Sequence, residues 1–148
     1  MGSPVARAAL AALLWLWATA SAADEQAFTY VSALPEVRGE RIERTTGRDP
    51  RTGHALEKEV FELAGDGLRI RTHRALVRCA PGAPAEPYIV AVQLLPTPPQ
   101  SFEGATRYDR FAEVYVTDEA GRVRLYRDVT GVDMGRLTER FLPACPDV

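Results

Sequence analysis

The chain has 148 residues, 46% of them hydrophobic, with 18 basic and 20 acidic side chains and a formal net charge of −2. This size and balance fit one domain with a single core. The slightly acidic charge lacks the basic footprint of a nucleic-acid-binding protein, so we expect no nucleic-acid partner.

The first 22 residues have the pattern of a signal peptide. Arg7 precedes an uncharged run over 8–23, and Ala20-Ser21-Ala22 supplies the small residues at which a signal peptidase cuts. The run of 16 residues is shorter than the ~20 that a membrane span needs. We therefore expect a cleaved signal peptide over 1–22 and a single exported domain over 23–148, with no membrane anchor after cleavage.

The expected location is the periplasm or the extracellular medium. Arginine replaces lysine everywhere except at Lys58, a usage typical of GC-rich bacterial genomes. Removal of Arg7 leaves 17 basic and 20 acidic side chains, a net charge of −3. The only cysteines, Cys79 and Cys145, are predicted to form a disulfide, because thiols oxidise outside the cytosol. A loop of this length makes such a bond worth about 4 kcal/mol in the chain-entropy model.

Residues 24–34 allow two assignments. Their apolar residues recur with a helical period and end at Pro35, which favours a helix. The stretch 28–31, Phe-Thr-Tyr-Val, also fits a short strand. We favour the helix.

Hairpins dominate the middle of the chain. They are predicted to join 40–45 to 54–63, 56–63 to 68–72, and 111–117 to 122–129. The turn dipeptide Asp66-Gly67 favours a tight turn and sets a register that places Val60 opposite His73. The segment 88–95 is apolar at odd and at even positions alike, which indicates a central strand covered on both faces.

A short helix closes the chain. Met134, Leu137 and Phe141 recur with a helical period, Asp133 is a suitable N-cap, and Pro143 follows the end. The predicted fold is α+β and mostly β. An antiparallel sheet of about five to seven strands is built from hairpins, with this C-terminal helix and the favoured N-terminal one.

Residues suited to catalysis form no convincing group. The two histidines, His54 and His73, are predicted to lie ~20 Å apart along the sheet, too far for one metal ion. Neither Ser32 nor Ser101 lies in a nucleophile motif, and we expect no metal and no cofactor. Glu57 and Glu59 are predicted to form a solvated row that pairs with Arg69 and Arg71 across the hairpin.

Two features suit binding. Arg48 and Arg51 flank Asp49-Pro50 in a stiff loop, where two guanidinium groups could hold a carboxylate or a phosphate. The proline-punctuated loop over 96–108 carries Phe102 and Tyr108, and long loops on rigid sheets commonly carry binding function.

The sequence therefore predicts a non-catalytic exported binding or accessory protein with a protein partner, such as an inhibitor or an envelope-assembly factor. One alternative is a carrier that holds a small apolar ligand with Tyr88, Val90, Val92 and Leu94. The other is a hydrolase with a carboxylate pair, for which Glu57, Glu59 and Glu62 have the right chemistry.

Overall fold

The computed structural model describes residues 27–96, 110–143 and 145. The expected signal peptide lies outside these residues. Seven strands and one helix follow in chain order: β1 (Thr29–Val31), β2 (Glu40–Arg48), β3 (Ala55–Gly65), β4 (Leu68–Arg78), β5 (Glu86–Pro96), β6 (Arg110–Thr117), β7 (Val123–Thr130) and α1 (Met134–Arg140). The predicted mostly-β α+β class, with an antiparallel sheet and a short C-terminal helix, is confirmed.

The strands form one antiparallel sheet in the order β1-β7-β6-β5-β4-β3-β2. Each strand from β2 to β6 pairs with the strand that follows it in the chain. Consecutive strands pair in this way because the segments that join them turn the chain back on itself. Gly67 has φ 71 and Gly121 has φ 79, the left-handed conformation that these hairpin turns require. The predicted register between β3 and β4 is confirmed, with Val60 opposite His73, and β5 is the central strand.

The N-terminal segment is a strand, so the preference for a helix over 24–34 is wrong where the structure describes it. Thr29 lies opposite Leu125 and Val31 opposite Val123, which places β1 beside β7. Pairing satisfies the backbone groups of both strands, and the Phe28 ring packs 5.4 Å from that of Tyr126. The spacing of apolar residues over 24–34 could not show this pairing, because the partner strand, β7, begins only at Val123.

α1 lies against one face of the sheet, which we call the concave face. One cleft beside it has Thr45 of β2 and Thr138 of α1 among its walls, and another has Tyr30 of β1 and Arg140 of α1. The two clefts that adjoin the helix therefore extend to both edge strands.

The core fills the concave face and takes in the apolar side of α1. Asp133 caps the helix by accepting a hydrogen bond from the Arg136 backbone N–H at 2.8 Å. The Cys79–Cys145 disulfide is confirmed and ties the end of β4 to the segment after the helix. Fully or nearly fully buried members of the core are Ala75, Val77, Ile89, Ala91, Val114, Val116, Tyr126 and Leu137.

The prediction of a solvated carboxylate row is wrong for Glu59. Its side chain is only 6% exposed and is held by Arg74 Nη2 at 2.8 Å and Arg41 Nη1 at 3.1 Å. Arg74 is directly opposite Glu59 in the register of β3 and β4. The long arginine side chains cover the carboxylate that they neutralise.

The predicted partners of Arg69 and Arg71 are also wrong. Arg71 Nη2 lies 2.6 Å and Arg69 Nη1 3.7 Å from Glu62 Oε1. The register places Arg71 opposite Glu62, three residues beyond Glu59 and on the other face of the sheet. No helix within the described ranges is long and apolar enough to cross a membrane.

Candidate functional site

Arg51 ties the β2–β3 turn to the helix. Its Nε donates to Asp49 Oδ1 at 2.9 Å, and its terminal nitrogens donate to the carbonyl oxygens of Thr138 and Glu139. Carbonyl groups in the last turn of a helix lack hydrogen-bond donors within the helix, and Arg51 supplies the donors. One of the two predicted anion-binding guanidinium groups is therefore engaged in holding α1.

Asp49 completes this clamp, and only 1% of its surface is exposed. Burial alone raises the pKa of the carboxyl group, but hydrogen bonds from the side chain and backbone of Arg51, and from Thr52, outweigh burial and hold the pKa below its ordinary value. Asp49 is thus an ionised partner for Arg51.

Arg48 and Lys58 line a cleft of about 320 Å³ between the β2–β3 hairpin and α1. Arg48 Nη1 donates to the Gly53 carbonyl oxygen at 3.0 Å and remains exposed. Across the described ranges, no residue forms a hydrogen bond or an ion pair with the side chain of Lys58. Binding of an anion by Arg48 stays a prediction. The other predicted contact residues, Phe102 and Tyr108, lie outside the described residues.

A second cleft, of about 460 Å³, lies where β1, the β6–β7 turn and the end of α1 meet. We call it the aromatic–arginine cleft. Six of the side chains that line it are Tyr30, Arg122, Arg124, Arg140, Phe141 and Leu142.

The pairing of β1 with β7 builds this cleft. Tyr30 lies opposite Arg124, and residues opposite one another on neighbouring strands point to the same face. Phe28 is two residues before Tyr30 and shares its face, which is the helix-bearing face. The guanidinium carbon of Arg122 lies 4.4 Å from the centre of the Tyr30 ring, a stacked cation–π contact.

Arg124 is surrounded by aromatic rings. Its guanidinium carbon is 5.3 Å from the ring centre of Phe28, 5.4 Å from that of Phe141 and 6.0 Å from that of Tyr126. Burial raises the pKa of the Tyr126 hydroxyl, and the positive charges of Arg124 and Arg140 oppose this rise. The effect of burial on the Tyr126 pKa is therefore larger than that of the two arginines.

The Nε of Arg124 is buried and has no hydrogen-bond acceptor within the described ranges. A buried donor without a partner costs roughly 1–3 kcal/mol, and more when it is charged. Buried polar groups in folded proteins are nearly always paired. The Nε–H of Arg124 is therefore desolvated and has no acceptor among the described residues, although the side chain lines an open cleft.

Part of the rim of the cleft is apolar and exposed. Tyr30 is 49% and Leu142 47% exposed, and Phe28, whose ring lies 5.3 Å from that of Tyr30, is 40% exposed. Aromatic residues and arginine are the types that protein–protein interfaces favour. The outer side of β1 pairs with no described strand, so this apolar rim adjoins an open edge of the sheet.

Two groups suited to acid–base catalysis, Glu59 and His73, have pKa values below their ordinary ones. Burial raises the pKa of Glu59, but hydrogen bonds from Arg74 and Arg41 bring it below its ordinary value, whereas a general acid needs a raised pKa. Burial lowers the pKa of His73, whose Nε2 lies 2.6 Å from Gln93 Oε1. The described residues contain no cluster of metal-ligating side chains.

The sequence did not reveal the aromatic–arginine cleft. Arg124 lies in β7 and Arg122 just before it, and the favoured helix over 24–34 includes Phe28 and Tyr30. The available signal was an i, i+2 spacing in two separate segments, of aromatic residues at 28 and 30 and of arginines at 122 and 124. It becomes informative only once β1 is known to pair with β7.

Comparison with known proteins assigns no family. No family model matches the chain, and neither a curated protein nor a solved structure matches it.

Proposed function

We propose that this chain is a non-catalytic exported accessory protein that binds a protein partner through the aromatic–arginine cleft. The observation that carries the proposal is the exposure of Tyr30 in an edge strand, and of Phe28 just before it, where no described strand pairs with the outer side of β1. A soluble domain seldom leaves a cluster of large apolar side chains beside an unpaired strand unless something covers it.

The two edges of the sheet differ in a way that supports this choice. All nine residues of β2 are exposed, most are charged or polar, and the register shifts between Arg41 and Glu43. Charges and bulges protect an edge against pairing with other chains. Because β1 has Tyr30 instead, with Phe28 directly before the strand, it is the edge suited to receiving an extended segment of a partner.

An apolar carrier fits the packing less well. The concave face is occupied by α1, whose Leu137 is 2% exposed within the core. Val90 is buried among neighbouring side chains, whereas Leu94 is 52% exposed. These residues of β5 therefore do not share one enclosed space, which favours a surface site over an internal one.

A carboxylate-based hydrolase has less support than binding. Glu59 and Glu57 are each paired with arginine, at 2.8 Å to Arg74 and 3.1 Å to Arg44. Such pairing stabilises the charged carboxylate and weakens it as a proton donor.

The proposal is tested by capture with matched variants. The immobilised mature domain is incubated with the exported fraction of its native cells, and the retained protein is identified and quantified. Tyr30→Ala should reduce retention at least tenfold, because it removes the exposed ring and the support for Arg122. Ile42→Ala is the control, since Ile42 is 50% exposed on the other edge strand. Equal retention by wild type and Tyr30→Ala would refute the proposal.

A further inference from the structure

We infer that Arg124 is the specificity-determining residue of the aromatic–arginine cleft and that it binds a carboxylate of an acidic peptide segment. The inference rests on the proposed function and specifies the chemistry of the partner. It is carried by a separate observation: the Arg124 guanidinium lines the cleft and has no carboxylate partner among the described residues.

Other stacked arginines in the chain show what Arg124 lacks. Arg74 stacks on Phe61 at 5.3 Å and pairs with Glu59 at 2.8 Å. Arg122 stacks on Tyr30 and has Asp118 Oδ2 3.6 Å from its Nε. Arg124 contacts three rings but has no carboxylate among the residues that the structure describes.

The arrangement of rings favours a planar oxyanion. The Nε–H of Arg124 is buried, so an acceptor that enters the cleft would bind the terminal N–H groups at the outer edge of the guanidinium. A carboxylate matches that edge with two parallel hydrogen bonds. The aromatic surroundings reduce competition from water and strengthen such bonds.

The cleft has an excess of positive charge, which an acidic segment would balance. Arg122, Arg124 and Arg140 line it together with Asp118 and Glu119, and Arg122 already pairs with Asp118. An extended segment along the open side of β1 would bring its side chains past Tyr30. An aspartate, a glutamate or a C-terminal carboxylate at that point would accept hydrogen bonds from the terminal N–H groups of Arg124.

The test follows the arginine Nε–H signals by NMR in the ¹⁵N-labelled mature domain at low salt. The probe is an acetylated, amidated pentaglutamate peptide, and the matched control is the corresponding pentaglutamine peptide. Pentaglutamate should shift the Arg124 signal saturably, and pentaglutamine should not. No saturable shift, or equal shifts with both peptides, would overturn the inference.

Variants show whether Arg124 itself is responsible. Arg124→Gln should weaken pentaglutamate binding at least tenfold, and Arg124→Lys should weaken it less, because lysine keeps the charge but not the paired donors. Arg110→Gln, at a side chain 69% exposed, removes the same charge elsewhere and should leave binding unchanged. Circular dichroism of each variant establishes that it is folded. Equal weakening by Arg110→Gln and Arg124→Gln would show only nonspecific charge attraction.

Inorganic phosphate distinguishes a carboxylate site from a general anion site. We expect phosphate to bind at least tenfold more weakly than pentaglutamate, and equal or tighter binding would overturn the assignment to a carboxylate. If Tyr30→Ala abolishes partner capture while Arg124→Gln does not, the inference fails and the proposed function stands. If no partner is captured but pentaglutamate binds through Arg124, the proposed function fails while the carboxylate site stands.

Discussion

At the scale of single residues, the clearest property is the neutralisation of a buried carboxylate by arginine. Glu59 is covered by Arg41 and Arg74, whose hydrogen bonds outweigh the effect of burial and hold the pKa of Glu59 below its ordinary value of 4.5. A carboxyl whose pKa is lower in the folded state stabilises the fold above that ordinary value. The stabilisation is lost as the pH falls through the lowered pKa.

Glu59→Gln should therefore reduce the free energy of unfolding by about 1–3 kcal/mol at pH 7, because the amide leaves two arginines without their carboxylate. The difference from wild type should shrink as the pH falls below 4.5, where the unfolded-state carboxyl is protonated. Denaturant unfolding at pH 7 and at pH 3 measures both effects. Asp128→Asn is the control, since Asp128 is 71% exposed and asparagine tolerates its positive φ. A difference that grows in acid would contradict this account.

At the scale of elements, Arg51 determines how α1 is attached. It joins the buried Asp49 to the last turn of the helix, although 87 residues separate it from Thr138. Arg51→Ala should lower the free energy of unfolding by about 2–3 kcal/mol, because it leaves a buried carboxylate unpaired. Arg48→Ala should change it by less than about 0.5 kcal/mol, since Arg48 is exposed. Equal effects in denaturant unfolding would show that the clamp contributes nothing.

The elements also show how far sequence patterns reach. Alternation, the Asp66-Gly67 turn and the Asp133 cap are local signals, so six of the strands and α1 were predictable. Contacts between distant segments have no local signal: β1 needs the edge of β7, and Arg51 needs the carbonyls of α1. The aromatic–arginine cleft combines β1, β7 and α1, which explains why its residues were missed.

At the scale of the whole molecule, the sheet, a short helix and one disulfide form a single unit. The bond closes a 66-residue separation between Cys79 and Cys145, and it holds the segment that follows Phe141. Replacement of both cysteines by alanine should lower the free energy of unfolding by about 2–5 kcal/mol. Because Phe141 contacts Arg124, binding at the aromatic–arginine cleft should weaken as well. Thermal unfolding and pentaglutamate titration of the double variant measure these effects, and an unchanged midpoint would contradict the first.

The central claim is that a protein partner covers the aromatic–arginine cleft. Site-specific photo-crosslinking tests it most directly, with a photo-reactive phenylalanine analogue in place of Tyr30 and, in a second protein, in place of Ile42. In the exported fraction of the native cells, the analogue at position 30 should give one adduct of discrete mass, and the analogue at position 42 should give none. An adduct from position 42 alone, or none from position 30 while the partner is still retained, would contradict the claim.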